Sequence, residues 1–289
     1  MKKRFLPVIL LLALMAGLFP AHAQSLDDQL QWNDYYVSSQ FYQYPRDTRY
    51  DAYMTSIAQN LNSTIIDTFG NDKNITFYVC PSRIGFNALS FHQFIVFDSM
   101  LLDTLRYLAI AKVYYGNVNN NYVNSLAEKV AIISNAYRNG MFNPNFYNSN
   151  NPFGFPPVGT LNPAQQKKAE QLFTGMLASW MAHEGSHCMR EHMKYRLQVM
   201  NQQGDNPQNA QINMNQYMQA QLSRELEKDA DVCATIWLIN SGYDIEGFVT
   251  WLQFGEKLEH AMGTENTYLR THPKCSERIE YIRQAARSD

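Results

Sequence analysis

Hydrophobic residues change period several times along this 289-residue chain. From Tyr50 to Asp67 they fall at Tyr53, Met54, Ile57, Ala58, Leu61 and Ile65, the i, i+3, i+4 spacing of an amphipathic helix. Three short β-rich runs follow: Ile75 to Val79, Ile84 to Leu89 and Phe94 to Phe97. Turn residues separate them, which predicts a small antiparallel sheet. Helical spacing returns over Leu101 to Tyr115 and Val123 to Arg138. Ala164 to Asn201 then reads as one long helix, followed by a polar loop at 202–211. Met214 to Ile239 reads as the next helix, closed by the C-cap signal Asn240-Ser241-Gly242. Ile245 to Met262 and Ser276 to Arg287 are the last two helical stretches. Residues 25–49 are polar and Tyr-rich with Pro45, and read as an extended lead-in. The pattern as a whole is α+β and mainly helical.

Residues 116–161 depart from this texture. Asn117 to Asn121 and Asn143 to Asn151 are Asn-rich, and Pro152 to Pro163 is rich in Pro and Gly. The segment reads as an insertion, either a surface elaboration or a lid or docking loop. The N-terminus has the form of a secretory signal. Lys2-Lys3-Arg4 precede an apolar run from Phe5 to Pro20 that is short for a membrane span, and Ala21-His22-Ala23 fits a cleavage site. The expected organisation is a signal peptide at 1–23 and a single domain at 24–289, exported to the periplasm or secreted. Losing Lys2, Lys3 and Arg4 takes 24 basic residues to 21 against 26 acidic ones, a net −5, so nothing suggests nucleic-acid binding. Cys80, Cys188, Cys233 and Cys275 lack zinc-ribbon spacing. They allow three pairings, and one or two disulfides or buried free thiols both fit the sequence.

The chemistry concentrates at His183-Glu184-Gly185-Ser186-His187, an H-E-x-x-H at the end of the apolar run Leu172 to Ala182. Residues four apart share a helix face, so both imidazoles point to one place. Two neutral imidazoles can hold Zn²⁺, and the intervening Glu can act as general base on a water bound to it. A third ligand is needed. The H-E-x-x-H-x-x-G-x-x-H solution fails, because Arg190 and Met193 stand where its Gly and third His would be, and His192 is one residue off. The remaining solution is a Glu on a later helix. Ser223-Arg224-Glu225-Leu226-Glu227-Lys228-Asp229-Ala230-Asp231 places Glu227 and Asp231 on one face. Glu227 can ligate, and Asp231 can fix the tautomer of a ligand His.

S-R-x-x-E-x-x-A-D after H-E-x-x-H resembles the M48 metallopeptidases, a family that includes CAAX-processing proteases, HtpX and soluble periplasmic quality-control proteases. Gly85-Phe86-Asn87-Ala88-Leu89 followed by Ile95 to Leu102 is similar to the family's P-N-A-F strand and the strand leading to G-L-L. Thr271-His272-Pro273 with Glu277-Arg278-Ile279 is similar to its S-T-H-P and E-R-I segment. His192 matches the last His of H-E-x-x-H-x-x-x-R-H, with Glu191 in place of the Arg. The family's Pro-Gly-Gly turn is here Ser90-Phe91-His92-Gln93, and Gly185 replaces a commonly apolar residue at a cost of about 1 kcal/mol of helix propensity.

The resemblance implies a gluzincin-type domain, with a small antiparallel sheet beside the H-E-x-x-H helix. It implies one Zn²⁺ per chain held by His183, His187 and Glu227, with Glu184 as general base and Asp231 behind a ligand His. Substrate would pair as an extended strand with Phe86, Asn87, Ala88 and Leu89. His272 would stabilise the oxyanion, or else fill the metal's open position at rest. Arg278 would bind substrate or bridge helices. The expected substrates are unfolded or misassembled envelope proteins, with peripheral association to envelope assembly machinery. The alternative is a zinc-bound chaperone or assembly factor with weak or latent proteolysis.

Overall fold

The computed structural model describes residues 25–44, 46–70, 73, 75–80, 86–138, 158–202, 214–263 and 272–288. The signal segment expected at 1–23, the first residues of the run 84–89, the Asn- and Pro-rich stretch 139–157 and Thr271 lie outside them.

The central element is helix α6, Pro163–Met189. Its start is fixed locally. The Asn162 side chain accepts from the Gln165 amide, the Gln165 side chain reaches back to the Asn162 amide, and Pro163 occupies the first turn. From Met176 to Ser186 every residue is buried. A helix buried on all sides shows little hydrophobic periodicity. Around it pack α4 (Ser99–Tyr115), α8 (Met214–Asn240) and α9 (Glu246–Met262). The last helix, α10 (Cys275–Ser288), lies against α8 and α9. Trp237, Phe173, Phe248, Phe254, Leu101 and Ile95 fill the space between.

Among the described residues, three strands form one sheet in the order β1-β3-β2: β1 is Thr76–Cys80, β2 Ala88–Ser90 and β3 Phe94–Asp98. The β2–β3 pair is antiparallel, but β1 runs parallel to β3, so the sheet is mixed rather than wholly antiparallel. The reason lies in β3, which is buried at all five positions and takes the centre. A continuous apolar run suits a strand covered on both faces. The chain leaving β1 therefore crosses to the far side of β3 before returning.

Two further expectations are corrected. The lead-in is not extended: Leu26–Phe41 is a helix, α1, capped by a reciprocal Ser25–Asp28 pair. Its aromatic composition hides a buried stripe at Leu30, Val37 and Phe41, of which Val37 and Phe41 pack with Tyr78, Phe91, Phe94 and Val96 as a satellite core. The helix expected over Ala164 to Asn201 is not continuous either. It stops at Met189, and a second helix, α7, runs His192–Gln202. Between them Glu191 takes a left-handed φ of 56°, a conformation that costs an L-residue about 1–2 kcal/mol. Its carboxylate pairs with Lys73 at 2.5 Å.

Helices α2 (Asp51–Ser63) and α3 (Ile65–Phe69) divide the expected Tyr50–Asp67 helix at Thr64. Within the 116–161 segment, Asn121–Arg138 forms helix α5. It buries Val123, Leu126, Ala127, Val130 and Ala131 in the main core against α9, so this part of the segment is core rather than surface elaboration.

Candidate metal centre

Helices α6 and α8 cross so that the H-E-x-x-H face meets the Glu227–Asp231 face. One contact sets how closely they approach. A Cβ on Gly185 would lie 2.7 Å from Cζ3 of Trp237, whose indole N–H donates to Leu61 O at 2.8 Å. The odd glycine of the motif thus makes room for an indole on the facing helix.

At this crossing one ligand atom each from His183, His187 and Glu227 lies within 4.8 Å of the other two. His183 Nε2 is 3.3 Å from Glu227 Oε2, and His187 Nε2 is 3.5 Å from Glu227 Oε1. Two imidazole nitrogens and one carboxylate are a zinc-type donor set. The back of His183 is tied down: its Nδ1 donates to Asp231 at 3.0 Å, leaving Nε2 for the cluster. Asp231 is fully buried and also takes two bonds of 2.8 Å from the Arg278 guanidinium. Arg278 itself is 2% exposed and stacks over the Trp251 ring. It thereby joins α10 to α8 through the Asp231 carboxylate. Its guanidinium faces Asp231 rather than solvent.

His187 is supported differently. Its Nδ1 lies 2.8 Å from His192 Nδ1, and His192 Nε2 lies 2.9 Å from Asp229, which also binds Arg190. If His187 presents Nε2 to the cluster, its Nδ1–H donates to His192, whose Nε2–H donates to Asp229. The sequence did not single out Asp229 or this use of His192. A continuous helix would turn position 192 away from His187, and the left-handed Glu191 brings it back.

Electrostatics separate the groups. Burial lowers the affinity of His183 for a proton, but the bonds from Asp231 and Glu227 outweigh it and raise its pKa to about 9. The two acids thus make a place for positive charge. Burial holds His187 well below its ordinary range. Burial pushes the Glu227 carboxyl up, yet the rings of His272 and His187 and the bond from His183 hold it well below normal. Glu184 has no such set of partners. Burial raises it, with only partial opposition from His183 and from a hydrogen bond with Ser90. A carboxylate with a raised pKa is suited to take and return a proton near neutrality.

His272 Nδ1 lies 3.0 Å from Glu227 Oε2, so the T-H-P histidine reaches the cluster. Of the expected substrate strand, Ala88 and Leu89 belong to β2, an edge strand among the described residues, beside α6. Asn87 is exposed, and its carbonyl accepts from Asp98 N at 3.2 Å. Phe86 packs edge-on against Trp180 and Phe254. The turn after β2 lacks Pro-Gly-Gly and is braced instead by Asp34 of α1, which accepts from His92 N at 2.9 Å and Gln93 N at 2.8 Å. None of the four cysteines is in a disulfide, and Cys80, Cys188 and Cys275 are buried.

Residues 170–286 match the family model described as Peptidase family M48. The matched segment carries H-E-x-x-H, Glu227, Asp231, His272 and Arg278, whereas the sheet and α1 to α5 precede it. No curated protein and no solved structure matches the chain.

Proposed function

We propose, from the premise that residues 170–286 belong to peptidase family M48 and carry its metallopeptidase function, that this protein is a zinc-dependent endopeptidase acting on unfolded or misassembled proteins. The observation that carries the reading is the convergence of His183, His187 and Glu227 within 4.8 Å, with buried Glu184 in the same helix turn. Bound by these three residues, one zinc ion would polarise the scissile carbonyl and acidify water.

The chain's own residues supply the rest. Asp231 holds Nδ1–H of His183, and Asp229 acts through His192 on His187, so both rings are fixed before substrate arrives. Glu184 takes the proton of the attacking water and passes it to the leaving nitrogen. The edge of β2, with Asn87 before it, offers backbone groups to an extended peptide, a mode of pairing that makes little demand on sequence and suits unfolded chains. His272 fits two roles: a donor to the oxygen of the tetrahedral centre, or a plug at the cluster in a resting form. The N-terminal pattern of Lys2-Lys3-Arg4, the apolar run and Ala21-His22-Ala23 supports export to the periplasm. Misassembled envelope proteins are then the natural substrates, with peripheral attachment to their assembly machinery.

The test is cleavage of an unfolded model protein by residues 24–289, with zinc measured on the same sample. Glu184→Gln should retain zinc and lose about 10²- to 10⁴-fold in rate. Full activity in that variant would end the mechanism. Stoichiometric zinc and client binding without cleavage by the wild type would favour the second reading, a latent or chaperone-like protein. The approach of His272 to Glu227 is the observation behind that reading.

A further inference from the structure

A small cleft opens beside His187. It offers about 30 Å³ of room, and its lining is Ser90, Phe91, His187, His192, Met193 and Arg196. It adjoins the reacting groups on two sides: Ser90 closes β2 and hydrogen-bonds Glu184, and His187 belongs to the metal cluster. Phe91 and Met193 give it an apolar floor.

Arg196 is the cation of this cleft. The other arginines around the cluster are neutralised, Arg190 by Asp229 and Arg278 by Asp231. Arg196 has no such acid among the described residues. Its Nη2 donates to Ser223 Oγ at 3.3 Å, and among the described residues no carboxylate lies within ion-pair distance. Its charge is felt at His187, where it opposes protonation. Guanidinium has five donors in a planar fork that matches a carboxylate, and most of that capacity is unspent here. None of the six lining residues is acidic.

We propose that Arg196 forms a carboxylate subsite beside the metal cluster, so that the enzyme favours peptides presenting an acidic side chain, or a free C-terminus, next to the bond it cuts. The inference rests on the metallopeptidase reading and adds a substrate class to it. The subsite is small, so one carboxylate fills it. Binding there draws a chain along the β2 edge with its scissile carbonyl at Glu184.

Matched peptides test it, carrying Asp or Glu, or instead Asn or Gln, at the residues flanking the cleaved bond. A second set differs only in a free or amidated C-terminus one or two residues beyond the bond, which distinguishes a side-chain from a terminal carboxylate. The wild type should show kcat/KM at least about tenfold higher for the charged form in one set, the scale of a single charge-assisted hydrogen bond. Arg196→Ala should erase the preference, and Arg196→Glu should turn it toward Lys and Arg, with zinc content and melting temperature unchanged. Binding of the same peptides to the Glu184→Gln protein, read by fluorescence anisotropy, decides the preference whether or not turnover occurs. Equal binding or cleavage of charged and neutral peptides by the parent proteins would overturn the proposal. So would a preference that survives in Arg196→Ala. Absence of turnover by zinc-loaded wild type, with the binding preference intact, would count against the proteolytic reading alone.

Discussion

The two histidines of the H-E-x-x-H motif lie on one helix face, yet their surroundings are opposite. His183 sits in a sealed wall, bonded to the fully buried Asp231, which is clamped by Arg278 under Trp251. His187 borders a cleft, and its support runs through a second histidine to the part-exposed Asp229. The acids beside His183 raise its pKa to about 9, while burial holds His187 well below the ordinary value. One side of the cluster is thus built as scaffold and the other as an approach. The motif alone treats the two positions as equivalent. The difference comes from what α8, α10 and α7 bring to each.

The sharpest way to break this contrast is on the sealed side. Arg278→Met leaves Asp231 buried with half its partners, and should cost about 3–5 kcal/mol in chemical unfolding. A loss below about 1 kcal/mol would mean that His183 alone satisfies Asp231. Gly185→Ala should cost about 1–3 kcal/mol despite its better helix propensity, because the new methyl meets Trp237. A stabilised Gly185→Ala protein would show that the helices can separate freely. On the approach side, His192→Phe removes the link from His187 to Asp229 while keeping an aromatic ring. Zinc affinity, read by chelator competition, should fall about 10- to 100-fold with little change in stability. Unchanged affinity would leave His187 positioned by packing alone.

Much of the centre was legible because it is local. The i, i+4 spacings of His183–His187 and Glu227–Asp231 need only helices to acquire meaning, and both segments are helical. What the sequence hid depends on tertiary contact. Gly185 looked like a departure from the family pattern, and the reason for it, Trp237, is 52 positions away on another helix. His192 looked misdirected because a single left-handed residue, Glu191, is not signalled by composition; glycine would have announced it. The parallel β1–β3 pairing was equally unreadable, since alternation marks a strand but not its neighbour. Helix α1 was missed because Tyr, Trp, Ser and Asn are weak helix formers, and its stripe of Leu30, Val37 and Phe41 is sparse.

That helix has a consequence for motion. The satellite core that holds α1 is separate from the main core around α6, and Asp34 reaches from it to the turn that follows β2. Small, detached clusters open at lower free energy than the body they rest on. Undocking of α1 therefore releases the β2 edge while α6 and α8 stay folded. Native-state hydrogen exchange should report this as two tiers, with the amides of His92 and Gln93 exchanging together with α1 and well ahead of those in α6. The compliance of β2 is then set by a helix that carries none of His183, His187 and Glu227.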